Sequence, residues 1–421
     1  MDTLLSIFTY TFLFLILYFQ VFLILTMIEH KSATNEKMDQ DDLAVAAASP
    51  TVTIIVPVFN EQETVAKTIR SLLAMRYPKE KLNIMVVDDG SKDNTWEFIQ
   101  QFKDNPQITL YKKENGGKYT ALNYGIEHST SEYIGCLDAD SFVDSEALNY
   151  IIPYFEDQTV MAVTPSLKIQ NPDNILRMIQ NAEYNMGIFT RKILGLLDAQ
   201  YVTPGPFSIF RKEVFKTVGV YRHAHNTEDL EMAFRLQQNH FRIVNANKAV
   251  VYTVGPRTLY RLYKQRVRWT GGFIQNTLDY KRMLLNPKYG NLGLLVLPMA
   301  MYSIVASMLF LFVSVYFTSI SIITSIQQVH MVGFSYPTSD FFRTFTLEWW
   351  LYHTQTTFLI GTLMTLLIVF AIWYGKRLAG VEDRKNALHI AYFLLFYSLI
   401  SPFWLVASVY NTIRNRDAAW R

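Results

Sequence analysis

The chain has 421 residues, of which half are apolar and 18% are charged, against about 25% charged residues in an average soluble domain. Its formal net charge of +3 argues against a protein that binds nucleic acid along its whole length. The single cysteine, Cys136, lies in an apolar run, so it excludes an internal disulfide framework and a multi-cysteine zinc site and predicts a buried structural thiol.

The first predicted element is an apolar helix. No residue from Thr3 to Ile28 is charged, and this run is longer than the roughly 20 residues that cross a bilayer. It lacks the basic start and the small-residue cleavage site of a signal peptide, so we expect a retained signal anchor. Asp2 before it and Lys31 and Lys37 after it favour an external N-terminus and a cytoplasmic continuation.

The middle of the chain alternates between strand-like and helix-like segments. Short apolar runs rich in β-branched residues are followed by amphipathic segments, a pattern typical of an open α/β sheet. Val65, Ile69 and Leu72 show the helical period. The predicted strands are 51–58, 83–87, 108–111 and 133–137, and further helices are predicted over 94–102 and 118–128.

Two acidic clusters follow predicted strands. Asp88-Asp89-Gly90-Ser91 comes after 83–87, and Asp138-Ala139-Asp140 comes after 133–137. Ligands of open α/β sheets bind beyond the carboxyl ends of the strands, so both clusters are expected to line one crevice. Asp138 and Asp140 project to the same side of an extended segment and would suit Mg²⁺ or Mn²⁺ completed by substrate phosphates. Each cluster alone also fits ordinary turn chemistry.

Two further motifs precede predicted helices. In Asn115-Gly116-Gly117-Lys118 the glycines allow close approach, the helix amides favour anions, and Lys118 could contact a diphosphate; a plain capped turn is the alternative. In Thr227-Glu228-Asp229 the threonine suits a helix cap. A cap does not exclude catalysis, because Asp229 at the rim of a crevice can accept a proton from a substrate hydroxyl.

A basic amphipathic segment follows over 256–289. Its position before an apolar block predicts a helix in the membrane interface, where lipid headgroups explain several of its charges. Within it stands Gln265-Arg266-Val267-Arg268-Trp269. Arg268 and Trp269 side by side also suit a diphosphate clamp and a stacking platform for a sugar.

Three apolar blocks end the chain, at 290–329, 349–374 and 387–413. Basic residues between the last two predict a cytoplasmic loop, which fits one span in each of the first two blocks with an interfacial stretch near Pro298. A span in the third block would place Arg414, Arg416 and Arg421 outside, against the same rule. A turn at Ser401-Pro402 is the alternative, and we favour the span.

Taken together, the motifs resemble those of membrane-embedded processive family-2 glycosyltransferases, the synthases of cellulose, chitin, hyaluronan and poly-N-acetylglucosamine. The matching segments are VPVFNE at 56–61, DDGS at 88–91, NGGK at 115–118, DAD at 138–140, TED at 227–229 and QRVRW at 265–269. The layout of apolar segments looks most like that of bacterial poly-β-1,6-N-acetylglucosamine synthases. Thr270-Gly271-Gly272 departs from their pattern and leaves the polymer open.

The resemblance implies an α/β GT-A fold between transmembrane helices, a UDP-sugar donor, Mg²⁺ or Mn²⁺ and inversion at the anomeric carbon. The implied domains are a transmembrane helix at 1–30, a linker at 31–49, a cytoplasmic catalytic domain at 50–255, interfacial helices at 256–290 and a transmembrane region at 291–421.

The same resemblance implies roles for individual residues. The implied donor-binding residues are Pro57, Asn60, Glu61, Asp88, Asp89, Lys118, Asp138, Gln265 and Arg268. Asp140 would bind the metal, and Asp229 would be the general base beside Glu228. The implied acceptor-binding residues are Gly205, Pro206, Phe207 and Trp269.

The implied function is polymerisation of a sugar, with N-acetylglucosamine favoured, and secretion of the β-linked chain through the protein's own membrane region in the plasma membrane. Its partners would be the UDP-sugar, the growing polysaccharide and membrane lipid, with no nucleic acid; a small membrane partner subunit stays open. One alternative is a synthase of the hyaluronan, chitin or cellulose kind. A second is a non-processive lipid glycosyltransferase, which the size of the product would distinguish. A third is a sugar-sensing membrane protein, which a UDP-release assay would distinguish.

Overall fold

The computed structural model describes residues 2–30, 49–332, 356–380 and 386–414. Almost all of the predicted linker, and the basic residues Arg384, Lys385, Arg416 and Arg421, lie outside the described residues. The chain divides into two compact units, which are described separately. One comprises Met1–Leu25 and Pro298–Phe370, and the other comprises Thr26–Leu297 and Ala371–Arg421.

The second unit contains an eight-stranded mixed sheet with the order β3-β2-β1-β4-β7-β6-β8-β5. The strands are β1 (Val52–Val58), β2 (Leu82–Asp88), β3 (Ile108–Lys112), β4 (Tyr133–Cys136), β5 (Ser141–Val143), β6 (Val160–Ile169), β7 (Ile209–Arg211) and β8 (Arg242–Thr253). The first four in this order are parallel, as predicted, and β7 joins β4 antiparallel. The parallel register brings Asp88 level with Val58, so that the carboxyl ends of these strands meet at one edge.

The described helices alternate with the strands in the first half of the sheet and then extend beyond it. They are α1 (Asp2–Glu29), α2 (Val65–Leu73), α3 (Thr95–Gln100), α4 (Lys118–His128), α5 (Ala147–Ile151), α6 (Ile175–Leu196), α7 (Val214–Val218), α8 (Glu228–Gln238), α9 (Leu259–Asp279), α10 (Leu297–Val332), α11 (Thr356–Leu378) and α12 (Asn386–Ile413).

The core lies on both faces of the parallel strands, which explains why these strands are apolar throughout. Ile54 packs on one side with Ile69 of α2, and its neighbour Ile55 packs on the other side with Leu122 of α4. Successive side chains of a strand point to opposite faces, so helices on both faces leave β1 completely buried. Burying each such isoleucine contributes roughly 1.5–3 kcal/mol.

Four described helices are long and apolar enough to cross a membrane: segments of α1, α10, α11 and α12. In the first unit, Phe12 of α1 stacks on Phe310 of α10, with ring centroids 6.0 Å apart. A short π-helical segment, Leu292–Val296, leads into α10, which then runs unbroken through the first C-terminal apolar block. This agrees with one span there, preceded by a separate stretch near Pro298.

In the second unit, α12 packs on α6 and α9. Its contacts begin with Asn386, whose amide oxygen lies 3.5 Å from the Asn185 amide nitrogen, and reach Ser408, whose hydroxyl donates to the Val267 carbonyl at 3.2 Å. The helix continues through Pro402, so no turn occurs at the alternative position considered from the sequence.

Candidate active site

The site lies beyond the carboxyl ends of β2 and β4, where the first turns of α4 and α8 approach each other. At its centre is the Lys118 ammonium, which lies 2.7 Å from Asp138 Oδ1 and 3.2 Å from Glu228 Oε1. Burial disfavours the charged lysine, but the carboxylates of Asp138, Glu228 and Asp229 outweigh burial and raise the pKa of Lys118. The site therefore holds a fixed positive charge inside a ring of acidic side chains.

The segment Gly205–Phe207 closes one side of this cluster. A Cβ atom on Gly205 would lie 2.8 Å from Lys118 Nζ and 3.1 Å from Asp138 Oδ2, so a larger residue here would displace the ends of these two side chains. Phe207 is completely buried and has a φ of 65°, a left-handed conformation that bulky residues rarely adopt. Its amide donates to the Cys136 carbonyl at 2.6 Å, which holds the strained segment against β4.

Cys136 is buried, as predicted, and its thiol donates to the Gly205 carbonyl at 2.9 Å. Burial raises the pKa of Cys136 to about 12, so the thiol is neutral and has a structural role beneath the site.

The Asp89 carboxylate forms its contacts with neighbouring residues of the protein. Its carboxylate accepts from Lys113 Nζ at 2.6 Å, from the Gly116 amide at 3.1 Å and from the Gly117 amide at 2.8 Å. It thus fixes the glycine loop that leads into α4 and presents Lys118. The nucleotide contact implied for Asp89 stays a prediction.

The remaining residues implied to bind the donor lie along the same edge. Pro57 is buried within β1. Asp88 is also buried, and one of its carboxylate oxygens accepts from the Ser91 amide at 3.0 Å.

Asn60 and Glu61 follow β1. Asn60 has a left-handed φ of 55°, and its side-chain oxygen accepts from the Lys92 amide. The Glu61 carboxylate accepts from the Thr64 hydroxyl. These contacts shape the crevice wall; nucleotide contacts of these residues stay predictions.

Asp229 is the second residue of α8 and lies near the central lysine. One carboxylate oxygen accepts from the Leu230 amide at 2.9 Å, and the Asp229 carbonyl accepts from the Thr203 hydroxyl at 2.7 Å. Burial and the neighbouring Glu228 raise the pKa of Asp229, while Lys118 and Arg268 oppose the rise. A carboxylate with a raised pKa at the edge of a crevice is suited to general-base catalysis.

The QRVRW motif lies on α9, and its two arginine side chains point in different directions. Arg268 donates to the Asn226 carbonyl at 2.7 Å, just before Asp229, while Arg266 is 3% exposed and contacts Glu183 of α6. Gln265 accepts from Arg266 at 3.1 Å, and Trp269 is 37% exposed. The structure thus brings Arg268 close to Asp229 and leaves the indole partly accessible.

The segment that precedes Asp229 is conformationally strained. Ala224, His225 and Asn226 have φ angles of 44°, 54° and 60°. Such strain persists only where the surroundings enforce it. Here α9 holds the next residue: Asn276 donates to the Thr227 hydroxyl at 2.9 Å, and a Cβ atom on Gly272 would lie 2.4 Å from Thr227.

A divalent metal fits the site only with ligands from the substrate. Among the described residues, no group of three or more His, Cys, Asp or Glu side chains could hold a metal ion. Asp140 is half-buried in the turn between β4 and β5, two residues after Asp138. Magnesium is commonly bound by one or two carboxylates together with substrate phosphates, so Asp140 suits such an ion when nucleotide is present.

Sequence reasoning missed several residues that build the site. Lys113 holds Asp89, Gly272 admits Thr227, and Glu183 pairs with Arg266. Nothing in the sequence marks Glu183 as a partner of Arg266, because a glutamate in an amphipathic helix is usually an ordinary surface charge. In the sequence, the adjacent glycines at 271–272 stand out only as a departure from a family pattern.

Several known proteins are similar to this chain in sequence. The family Glycosyl transferase family 2 matches residues 53–219. The poly-β-1,6-N-acetyl-D-glucosamine synthase of Staphylococcus aureus (strain COL) is 37% identical over 224 residues, which cover 52% of this chain and 54% of that protein. The synthase of the same name from Staphylococcus epidermidis is 33% identical over 278 residues, covering 65% of this chain and 66% of that protein.

Among solved structures, the mannosyltransferase PcManGT from Pyrobaculum calidifontis, in complex with GDP-Man and Mn²⁺, aligns with a TM-score of 0.53 and 19% identity, covering 88% of this chain and all of that one. This likeness confirms the predicted α/β GT-A fold. With the Staphylococcus aureus relative the match spans about half the length of each protein.

Proposed function

We propose that this chain, whose residues 53–219 form a family-2 glycosyltransferase domain, is an inverting glycosyltransferase that builds a β-linked polysaccharide from a UDP-sugar, with N-acetylglucosamine as the favoured sugar. One observation supports it most: Asp229, with a raised pKa, lies beside the ion cluster of Lys118 and Asp138 at the carboxyl edge of the sheet. The relatives named poly-β-1,6-N-acetyl-D-glucosamine synthase support the choice of sugar.

The reaction follows from the charges in the crevice. The acceptor hydroxyl is a weak nucleophile, so Asp229 accepts its proton as the oxygen attacks C1 of the donor sugar. The C1–O bond to the diphosphate breaks on the opposite face, and UDP leaves with increased negative charge. Lys118 and Arg268 provide positive charge for the leaving group, and the proton remains on Asp229.

The donor is oriented by the edge of the sheet in this proposal. Asn60, Glu61 and Asp89 would lie along the nucleoside, and Asp138 along the sugar. Asp140 and the donor phosphates would hold Mg²⁺ or Mn²⁺. When bound, the ion supplies further positive charge to the leaving diphosphate.

The acceptor enters from the side of α9. Gly205–Phe207 and the accessible Trp269 would hold its terminal sugar, because an indole face stacks well on a sugar ring. Four apolar helices of spanning length support a location in a membrane, which we propose is the plasma membrane, with the catalytic domain in the cytoplasm. Secretion of the product through these helices is part of the same proposal.

A donor panel tests this function. Full-length protein in membranes is incubated with UDP-N-acetylglucosamine, UDP-glucose, UDP-glucuronate and mixtures of them, and UDP release and product size are measured. The proposal predicts UDP release with UDP-N-acetylglucosamine and a product that a β-1,6-specific hexosaminidase digests. A single sugar added to lipid would indicate the non-processive lipid glycosyltransferase, and absence of UDP release from every donor would contradict enzymatic activity. Purified chain alone, compared with membranes, tests the need for a partner subunit.

A further inference from the structure

A buried polar cluster joins three helices behind the QRVRW motif. Arg266 of α9 is 3% exposed, and its Nη2 lies 2.5 Å from Glu183 Oε2 of α6. The other oxygen of this carboxylate, Oε1, accepts from the Tyr397 hydroxyl of α12 at 3.1 Å. Both oxygens of Glu183 are thus engaged, one by each neighbouring helix.

Arg266 connects this cluster to Trp269. Its guanidinium carbon lies 4.3 Å from the centroid of the Trp269 ring, one helical turn further along α9. A guanidinium at this distance over an indole makes a favourable cation–π contact. One face of the indole is therefore held by a side chain that is itself held by Glu183.

Arg266 points away from the residues that are proposed to bind the donor. Arg268, two residues later, points to the Asn226 carbonyl near Asp229, whereas Arg266 points to α6 and α12. A second contact docks α12 at the same place, because the Ser408 hydroxyl donates to the Val267 carbonyl at 3.2 Å. The C-terminal helix is thus fixed to the backbone of the motif as well as to the carboxylate behind it.

We propose that Glu183 and Tyr397 are positioning residues for the acceptor: they fix Arg266, and Arg266 fixes the indole of Trp269. This rests on the proposed function, in which Trp269 contacts the acceptor sugar. The C-terminal helix then contributes to acceptor binding through one hydroxyl, that of Tyr397. Loosening this chain of contacts weakens acceptor binding and leaves donor binding unchanged.

Kinetics of the full-length protein with UDP-N-acetylglucosamine and a short β-1,6-linked N-acetylglucosamine oligosaccharide test the proposal. Tyr397→Phe removes only the hydroxyl, and Glu183→Gln keeps the shape and removes the charge. We expect each to raise the KM for the oligosaccharide about two- to five-fold, the size of a weakened cation–π contact, and to leave the KM for UDP-N-acetylglucosamine unchanged. Tyr410→Phe, the same change at a 50% exposed position of α12, is the matched control and should behave as wild type.

A double variant tests whether Tyr397 acts through Glu183. In the Glu183→Gln background, Tyr397→Phe should add little, because residues that act in one chain of contacts have non-additive effects. Equal changes in both KM values, or full additivity of the two substitutions, would overturn the proposal.

A measurement without turnover separates this proposal from the function on which it rests. The fluorescence difference between each protein and its Trp269→Phe counterpart reports the surroundings of this indole. Tyr397→Phe and Glu183→Gln should increase its quenching by acrylamide, and Tyr410→Phe should not. Unchanged quenching would refute the positioning roles even in an active enzyme. Increased quenching in a protein that transfers no sugar would support them and contradict the proposed function alone.

Discussion

At the scale of single residues, opposing charges around Asp229 set the basicity of its carboxylate. Burial and Glu228 raise its pKa, and Lys118 and Arg268 limit the rise. The carboxylate is therefore a stronger base than an exposed aspartate, yet it can still be ionised when the acceptor arrives. The positive side chains that limit its basicity are the same ones proposed to stabilise the leaving diphosphate.

The pH dependence of kcat/KM tests this balance. The base must be deprotonated, so activity should fall as the pH falls through the pKa of Asp229, and this decline should begin at higher pH than for an ordinary aspartate. Arg268→Gln removes a charge that lowers this pKa, so the acid limb should move further towards higher pH. Arg282→Gln, at an exposed position after α9, is the control. An acid limb that stays in place in Arg268→Gln would contradict the electrostatic role of Arg268.

Asp140 has a separate predicted role. Asp140→Ala should weaken UDP binding measured with Mn²⁺ and have little effect on UDP binding measured with EDTA, because the side chain acts through the ion. Isothermal titration with UDP in both conditions measures this difference. Equal UDP affinity of wild type and Asp140→Ala in the presence of Mn²⁺ would rule out the assignment.

At the scale of elements, α9 positions the first turn of α8. The contact between Gly272 and Thr227 leaves no room for a side chain, whereas nothing lies within 4 Å of a Cβ atom on Gly271. The two neighbouring glycines of the same helix therefore have different reasons to be present. Gly272 allows α9 to support the strained segment before Asp229.

Alanine substitutions at these two glycines form a matched pair. Gly272→Ala should force α9 and Thr227 apart, with a loss of stability of about 1–3 kcal/mol typical of overpacking and a lower kcat. Gly271→Ala should keep activity and gain up to about 1 kcal/mol from higher helix propensity. Thermal unfolding and UDP release measure both effects. Similar behaviour of the two variants would show that the close contact does not matter.

At the same scale, the two halves of the sheet differ in how far the sequence predicts them. The parallel strands β1 to β4 and their helices were predicted because buried runs and amphipathic segments alternate there. The mixed part of the sheet, from β5 to β8, shows no comparable pattern in the sequence, because its pairing depends on contacts between distant segments. The motifs placed Lys118, Asp138 and Asp229 at one edge, but Glu183 and Tyr397 gain their role only through helix packing.

At the scale of the whole molecule, the contacts of α12 differ from those expected of an apolar helix that simply crosses the membrane. Its polar contacts extend from Asn386, beside α6, to Ser408, beside α9, about 30 Å along a helix. A helix that left this unit to cross a bilayer would contact it near one end only. Apolar residues at helical spacing cover its outer face, as expected of a helix in the membrane interface. They include Leu388, Leu395, Leu399, Phe403, Tyr410 and Ile413.

This arrangement predicts that the end of α12 lies on the same side of the membrane as the catalytic domain, which would also keep Arg414, Arg416 and Arg421 inside. Ile413 is 76% exposed, and Cys136, the only native cysteine, is buried. Ile413→Cys should therefore resist a membrane-impermeant maleimide in intact cells and react after permeabilisation. Labelling in intact cells would show that α12 spans the membrane.

The most direct test of the central claim is the turnover of Asp229→Asn, measured as UDP release and polymer formation by the full-length protein. We expect turnover to fall about 10²–10⁴-fold, the usual contribution of a general base, with UDP-sugar binding retained. Polymer synthesis near the wild-type rate in Asp229→Asn would contradict it.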